Sequence, residues 1–260
     1  MSKPYFLLIP GSFAPAELYD DFIELARANG VDIKALPLAT VGLSSGKERD
    51  TPPASMYDDA ALIAKEVEAL ADEGREVILI PHSYGGIPAT ESTKGLSVQE
   101  RQKQGKKGGL IRLAYKTVLL PSPGHSAIDT LQGPQEEGSG MVSDDEGWLH
   151  MSDLDASGSR TFSDVPVEEA RRLQKKFALH SAVSFANPLT HAGYKDVPVS
   201  YLLCEDDQVI PAEMQRRGIE LVERETGKKV DVTSIKAGHA PTASVPDQVL
   251  AWVLDLARKS

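Results

Sequence analysis

Six short runs rich in apolar residues recur along the chain, at Tyr5–Ile9, Val31 to Leu36, Val77–Ile80, Tyr115–Leu120, Val199–Leu203 and Val230–Ile235. Such runs lack the in-out alternation of a half-solvated strand, which is the pattern of parallel strands covered on both faces. Between them the period changes to three and four. Pro15 to Asn29 carries Leu18, Phe22, Ile23, Leu25 and Ala26 before Gly30, and Ser55 to Glu73 carries Ala61, Leu62, Val67 and Leu70 before Gly74. That spacing with a glycine at its end predicts helices, and Ala212 to Glu225 and Pro246 to Lys259 read the same way. Strands alternating with helices predict an α/β fold, a mostly parallel central sheet flanked by helices.

Two stretches break this rhythm. Pro37 to Ala54 is rich in Ser, Gly, Pro and Thr and reads as a surface loop after the second strand. Pro121 to Pro198 contains Gly138-Ser139-Gly140, the acidic Asp144-Asp145-Glu146, helix-like pieces near Gly147 to Leu154 and Val167 to His180, and no convincing strand. An insertion of this kind between sheet strands predicts a lid over the carboxyl edge. Trp148, Leu149, Leu173 and Phe177 read as its interior before its pocket lining. The expected organisation is a core domain, 1–120 with 199–260, interrupted by a cap at 121–198.

Composition narrows the class. With 41% apolar and 25% charged residues over 260 positions, most of the chain is expected to fold. A net charge of -10 opposes a phosphate-tracking surface, so no nucleic-acid partner is expected, and Arg101-Gln102-Lys103-Gln104-Gly105-Lys106-Lys107 reads as a solvated loop. Cys204, the single cysteine, excludes an intrachain disulfide and a thiolate zinc cluster, which fits a reducing compartment. Met1-Ser2-Lys3-Pro4 leads straight into an apolar run too short for a signal or a span, so a cytoplasmic protein without membrane contact is expected.

The chemistry concentrates at strand ends. Ser83, in Pro81-His82-Ser83-Tyr84-Gly85-Gly86, follows the third strand and precedes a helix, the setting of a nucleophile elbow. Gly85 supplies the small downstream neighbour, whereas Pro81 replaces the usual upstream glycine. A serine hydroxyl needs a base, and the base an acid that holds its tautomer. His239, in Ala237-Gly238-His239-Ala240-Pro241 after the last strand, is the candidate base. The acid comes from Glu205-Asp206-Asp207, with Asp207 preferred because it stands four residues before the helix-opening Pro211, and Asp206 the competitor. An acyl-transfer oxyanion needs preset N–H donors. Tyr84 N–H and Ser12 N–H, the latter in Pro10-Gly11-Ser12-Phe13, are the candidates.

Taken together, the Gly11-Ser12 turn, the His82-to-Gly86 elbow, Glu205 to Pro211 and Gly238-His239 resemble the α/β-hydrolase superfamily, most of all its plant methylesterase and hydroxynitrile-lyase branch and related fungal hydrolases. The resemblance implies a cofactor-independent Ser-His-Asp hydrolase with an inserted, mainly helical cap. Two departures stand out, Pro10 where many relatives carry His and the long link from Glu91 to Gly109. Lyase members carry threonine where Gly11 stands, which points to the esterase side. The expected activity is hydrolysis of an ester or lactone of a small, largely apolar molecule, with no cofactor or metal and with a homodimer compatible. The alternatives are carbon–carbon bond chemistry on the same triad and a non-catalytic small-ligand receptor.

Overall fold

The structure, a computed structural model, describes residues 3–43, 51–131 and 140–259. Positions 44–50 of the expected surface loop, Gly138-Ser139 and Met1-Ser2 lie outside the described residues.

The chain begins with β1 (Tyr5–Ile9), a 3-10 turn at Ala16–Tyr19, α1 (Asp20–Ala28) and β2 (Asp32–Ala35). Next come α2 (Met56–Asp72), β3 (Glu76–Ser83), α3 (Gly86–Glu91), α4 (Val98–Lys103) and β4 (Gly109–Val118). A long excursion then carries α5 (Ala127–Leu131), β5 (Met141–Ser143), β6 (Trp148–Met151), α6 (Leu154–Thr161), α7 (Val167–Gln174), β7 (His180–Ser181) and α8 (Ala182–Ala186). The chain returns through β8 (Val199–Cys204), α9 (Ala212–Thr226), β9 (Asp231–Ile235), α10 (Pro241–Ser244) and α11 (Pro246–Arg258).

Six strands form one parallel sheet in the order β2-β1-β3-β4-β8-β9. Alternate residues of β1 and β3 feed different layers, which is why the runs Tyr5–Ile9 and Val77–Ile80 are apolar throughout. Leu7, Ile9, Val77, Leu79, Leu113 and Tyr115 pack with Ile63 and Val67 of α2. Phe6, Leu8, Ile78 and Ile80 pack on the other face with Phe22 and Ile23 of α1 and with Trp252 and Val253 of α11. The start of α2 is fixed by its sequence: Ser55 accepts from Asp58 N while the Asp58 carboxylate takes the Ser55 N–H. The strand order reverses between β1 and β3, and open α/β sheets place ligands outside the carboxyl ends at such a point.

Two expectations need correction. The segment between β4 and β8 was expected to have no convincing strand, yet β5, β6 and β7 form a small antiparallel sheet beside its helices. The piece near Gly147 to Leu154, expected as helix-like, is β6. Gly147 at φ 85° breaks the chain before it, and three of its four residues are only half-buried, too few to show a period of two. The second correction concerns the basic cluster and the fourth strand. Arg101 is 1% exposed on α4, pairs with Asp72 at 2.6 Å and donates to the Lys107 carbonyl, so one buried arginine anchors the cluster while Gln102 to Lys107 stay exposed as expected. The fourth strand starts at Gly109, earlier than the predicted Tyr115, at the point where the link from Glu91 ends.

Candidate active site

Ser83 ends β3, and α3 begins three residues later. This reversal puts Ser83 at φ 53°, a left-handed conformation costly for a residue with a side chain. The turn closes because Gly85 and Gly86 have no side chains. A Cβ on Gly85 would stand 2.4 Å from the Pro10 carbonyl oxygen and 2.8 Å from that of Ile9, and one on Gly86 would stand 2.6 Å from Val118 Cβ. Pro81, at the position of the usual upstream glycine, pairs with Ile9 inside the sheet, so close approach is met downstream by Gly85. Gly85→Ala must push β1 and α3 apart. It is expected to cost more than about 3 kcal/mol, seen as a large fall in melting temperature, whereas an unchanged Tm would refute this tight contact.

The structure brings Ser83, His239 and Asp207 into one hydrogen-bonded line. Ser83 Oγ lies 3.0 Å from His239 Nε2, and His239 Nδ1 lies 2.8 Å from Asp207 Oδ2. All three are buried. The carboxylate can only accept, so Nδ1 carries the proton and the neutral ring leaves Nε2 as an acceptor for the Ser83 hydroxyl. Asp207 Oδ1 accepts from the N–H groups of Val209 and Ile210 at 2.7 and 2.9 Å, and Oδ2 also accepts from the Thr117 hydroxyl. Burial alone would raise this carboxyl. The His239 imidazole and the hydrogen bonds from His239, Thr117 and the Ile210 amide outweigh it and hold Asp207 below the ordinary carboxylate value. Glu205 and Asp206 face solvent, so Asp207 is the member of the acidic run that meets His239.

The oxyanion candidates sit beside this line. No protein group among the described residues accepts from the N–H of Ser12 or of Tyr84, which leaves both donors free at the wall that Ser12 and Tyr84 share with Ser83. A Cβ on Gly11 would come within 3.1 Å of Ser83 Cβ and 3.6 Å of its Oγ, so a side chain here would crowd the hydroxyl. Among the described residues, the non-glycine positions with positive φ are Phe13 at 60°, Ser83 at 53° and Thr117 at 40°. They follow or end β1, β3 and β4, so backbone strain gathers around one point at the sheet's carboxyl edge.

Several residues that hold this geometry were not singled out from the sequence. Thr117, the last but one residue of β4, donates to Asp207, and its strained backbone has no local sequence signal. Asp164 Oδ2 accepts the Gly238 N–H at 2.6 Å and so ties the base loop to the segment above it. Asp59, buried on α2, accepts from Ala39 N, Thr40 N, the Thr40 hydroxyl and, at 3.2 Å, the Tyr84 hydroxyl; burial raises its carboxyl to about 6. Each is a polar residue whose partner is remote in sequence.

Two chambers meet at Ser83. A slot of about 80 Å³ touches His239 and is walled by Leu18, Phe162, Leu173, Phe177 and Ala243. A wider chamber of about 380 Å³ touches Tyr84, Leu119, Phe185, Gln208 and Ile210. Leu173 and Phe177, expected as lid interior, therefore line the slot, while Trp148 is buried and lines neither chamber. Phe162, Leu173 and Ala240 also pack together, so the walls are continuous with the base loop. Among the described residues no cluster of His, Cys, Asp or Glu is arranged to hold a metal ion, and no helix is long and apolar enough to cross a membrane.

A parallel α/β sheet with a buried Ser–His–Asp line at its carboxyl edge defines a class, and comparison with known proteins gives the family. The chain belongs to the alpha/beta hydrolase family, whose model matches residues 6–252. It is 36% identical over 257 residues to the probable hydrolase R7 of a Phoma species, covering 99% of each chain. It is 24% identical over 272 residues to methylesterase 1 of Arabidopsis thaliana, covering 99% of this chain and 97% of that one. The crystal structure of a pyrethroid hydrolase from Sphingobium faniae superposes with a TM-score of 0.74 at 22% identity, covering 99% and 98% of the two chains.

Proposed function

We propose that the chain is a serine esterase that cleaves an ester or lactone of a small, largely apolar molecule through an acyl-enzyme. The observation that carries this reading is the line Ser83 Oγ, His239 Nε2, His239 Nδ1, Asp207 Oδ2 opening on an apolar cavity. His239 takes the Ser83 proton as Oγ attacks the carbonyl carbon. The negative charge on the carbonyl oxygen faces the N–H groups of Ser12 and Tyr84. His239 then gives its Nε2 proton to the departing oxygen, and water, deprotonated by the same nitrogen, releases the acyl group. The leaving group departs on the slot side, where His239 stands.

The likeness to proteins named as hydrolases and a methylesterase supports ester chemistry over carbon–carbon cleavage. So does the cavity lining: among the described residues neither chamber is walled by a lysine that would stabilise a leaving carbanion or cyanide. The cap reading of 121–198 also belongs to this proposal. Leu173 and Phe177 on the wall and Asp164 on the base loop support a lid that shapes the substrate site.

A fluorophosphonate probe tests the reading. Folded protein is expected to take up one phosphonyl group, with the adduct on the peptide containing Ser83 by mass spectrometry, and prior incubation with a p-nitrophenyl ester is expected to slow the uptake. Folded protein that hydrolyses no ester in a panel and leaves Ser83 unlabelled would instead fit a non-catalytic ligand receptor.

A further inference from the structure

We infer that His82 is a positioning residue, which fastens the loop carrying His239 and the turn carrying the oxyanion donor to the nucleophile elbow through one hydrogen-bonded line beneath Ser83. This rests on the hydrolase reading above and assigns a task to the residue that precedes the nucleophile.

The donor and acceptor roles along the line are forced by its ends. His82 Nε2 lies 2.8 Å from the backbone carbonyl oxygen of His239, and a carbonyl only accepts, so Nε2 carries a hydrogen. In a neutral ring Nδ1 is then an acceptor, and the Tyr19 hydroxyl, 2.7 Å away, donates to it. The Tyr19 oxygen in turn accepts the Gly11 N–H at 3.2 Å. The line therefore runs from Gly11 N–H to the Tyr19 hydroxyl, from there to His82, and on to the His239 carbonyl, with no orphan atom and no proton to spare. Neutrality of the ring is supported by its setting. Burial first, then the neighbouring Lys116 and His239, push the His82 imidazole well below its ordinary value.

The end of β3 and the loops that follow β1 and β9 are joined by this line, and nothing local in sequence joins them. The His82 and His239 rings lie 4.8 Å apart between centroids, tilted by 39°, so His82 also limits how far the base can swing. Tyr19 is 3% exposed and His82 6%, which keeps water from competing for these bonds. His82 acts through the main chain of the base and not on the reacting atoms, so its loss displaces His239 and the Gly11 turn together. Displacements near 1 Å at a reacting centre cost about 10²-fold in rate.

The test measures kcat per active site, with sites counted by fluorophosphonate titration. His82→Ala is expected to lower kcat by about 10²-fold with KM within about twofold of wild type. His82→Gln, whose side-chain N–H reaches the same carbonyl, is expected to recover at least about tenfold of that loss. Tyr19→Phe, which leaves the packing and removes the hydroxyl, is expected to cost about tenfold and stands in if His82→Ala does not fold. A merely structural role would lower the titrated fraction and the melting temperature while kcat per titrated site stayed within about threefold of wild type. That result, or His82→Gln no better than His82→Ala, overturns the inference. If wild type neither labels nor hydrolyses, the hydrolase reading is what fails. The brace is then judged by ¹⁵N imidazole spectra. Retention of the His82 Nε2–H tautomer and perturbation of the His239 ring by Tyr19→Phe support it, and an unperturbed His239 ring overturns it.

Discussion

Ser83→Ala is expected to lower kcat for a p-nitrophenyl ester by about 10⁶-fold, and combining it with His239→Ala to lower it scarcely further. In the proposed mechanism the two residues share one proton transfer along the 3.0 Å bond between Oγ and Nε2, so removing either removes the whole step. Asp207→Asn is expected to cost less, about 10⁴-fold. An amide at this position keeps the shape but can present N–H to His239 Nδ1, which favours the tautomer with hydrogen on Nε2, the wrong nitrogen to accept from Ser83. The surrounding donors sharpen that expectation. Asp207 receives two backbone N–H groups, the Thr117 hydroxyl and His239, so asparagine leaves at least one buried donor without an acceptor. Steady-state kinetics on folded variants at matched protein concentration checks the series. Losses that multiply in the double variant would refute the shared step, as would Ser83→Ala retaining more than about one part in a hundred of wild-type kcat.

What the sequence made legible is what local pattern can encode. β1, β8 and β9 lie within one residue of the predicted runs; β1 and β8 are buried along nearly their whole length and so write it directly into composition, and β9 is bounded by Val230 and Ile235. Ser83, Asp207 and His239 were readable because each stands where a strand gives way to a loop or helix, with glycine or proline marking the place. The start of β4 was obscured by Gly108 and Gly109, which read as loop although both take positive φ against neighbouring backbone, and by the polar Arg112 within the strand. The small sheet of β5, β6 and β7 was hidden by its shortness, since strands of two to four residues carry no period. Thr117, Asp164, Asp59 and Tyr19 were silent for another reason. Each has a partner between 20 and 90 residues away, and pairing of that kind is fixed only when the sheet order sets which loops become neighbours.

That same sheet order creates a cost the fold carries beneath the site, and Lys116→Met is expected to remove it. Lys116 lies in β4 opposite His82 of β3, is fully buried, and its Nζ has no hydrogen-bond partner among the described residues. Its ammonium rests over the Tyr19 ring, 5.1 Å from the centroid, which offsets only part of the lost hydration. Burial therefore lowers its pKa to about 7, with a small opposing influence from Cys204. The sign follows from proton linkage. The unfolded chain holds the Lys116 proton up to its ordinary value of 10.5, whereas the folded chain releases it above about 7. Between those limits the unfolded state binds more protons, so this group's contribution to stability rises with pH, and below about 7 the full penalty applies. A shift of that size corresponds to something on the order of 5 kcal/mol. Methionine keeps the length, the ring contact and the packing without the charge. At pH 6 the variant is expected to melt roughly 10 °C above wild type, with the gap closing steadily as pH climbs through the window above 7. Thermal unfolding of both proteins across pH 6 to 10 decides the matter: a gap that stays constant with pH would place the gain in packing, and a variant less stable than wild type at pH 6 would mean that the ammonium is held by more than the Tyr19 ring.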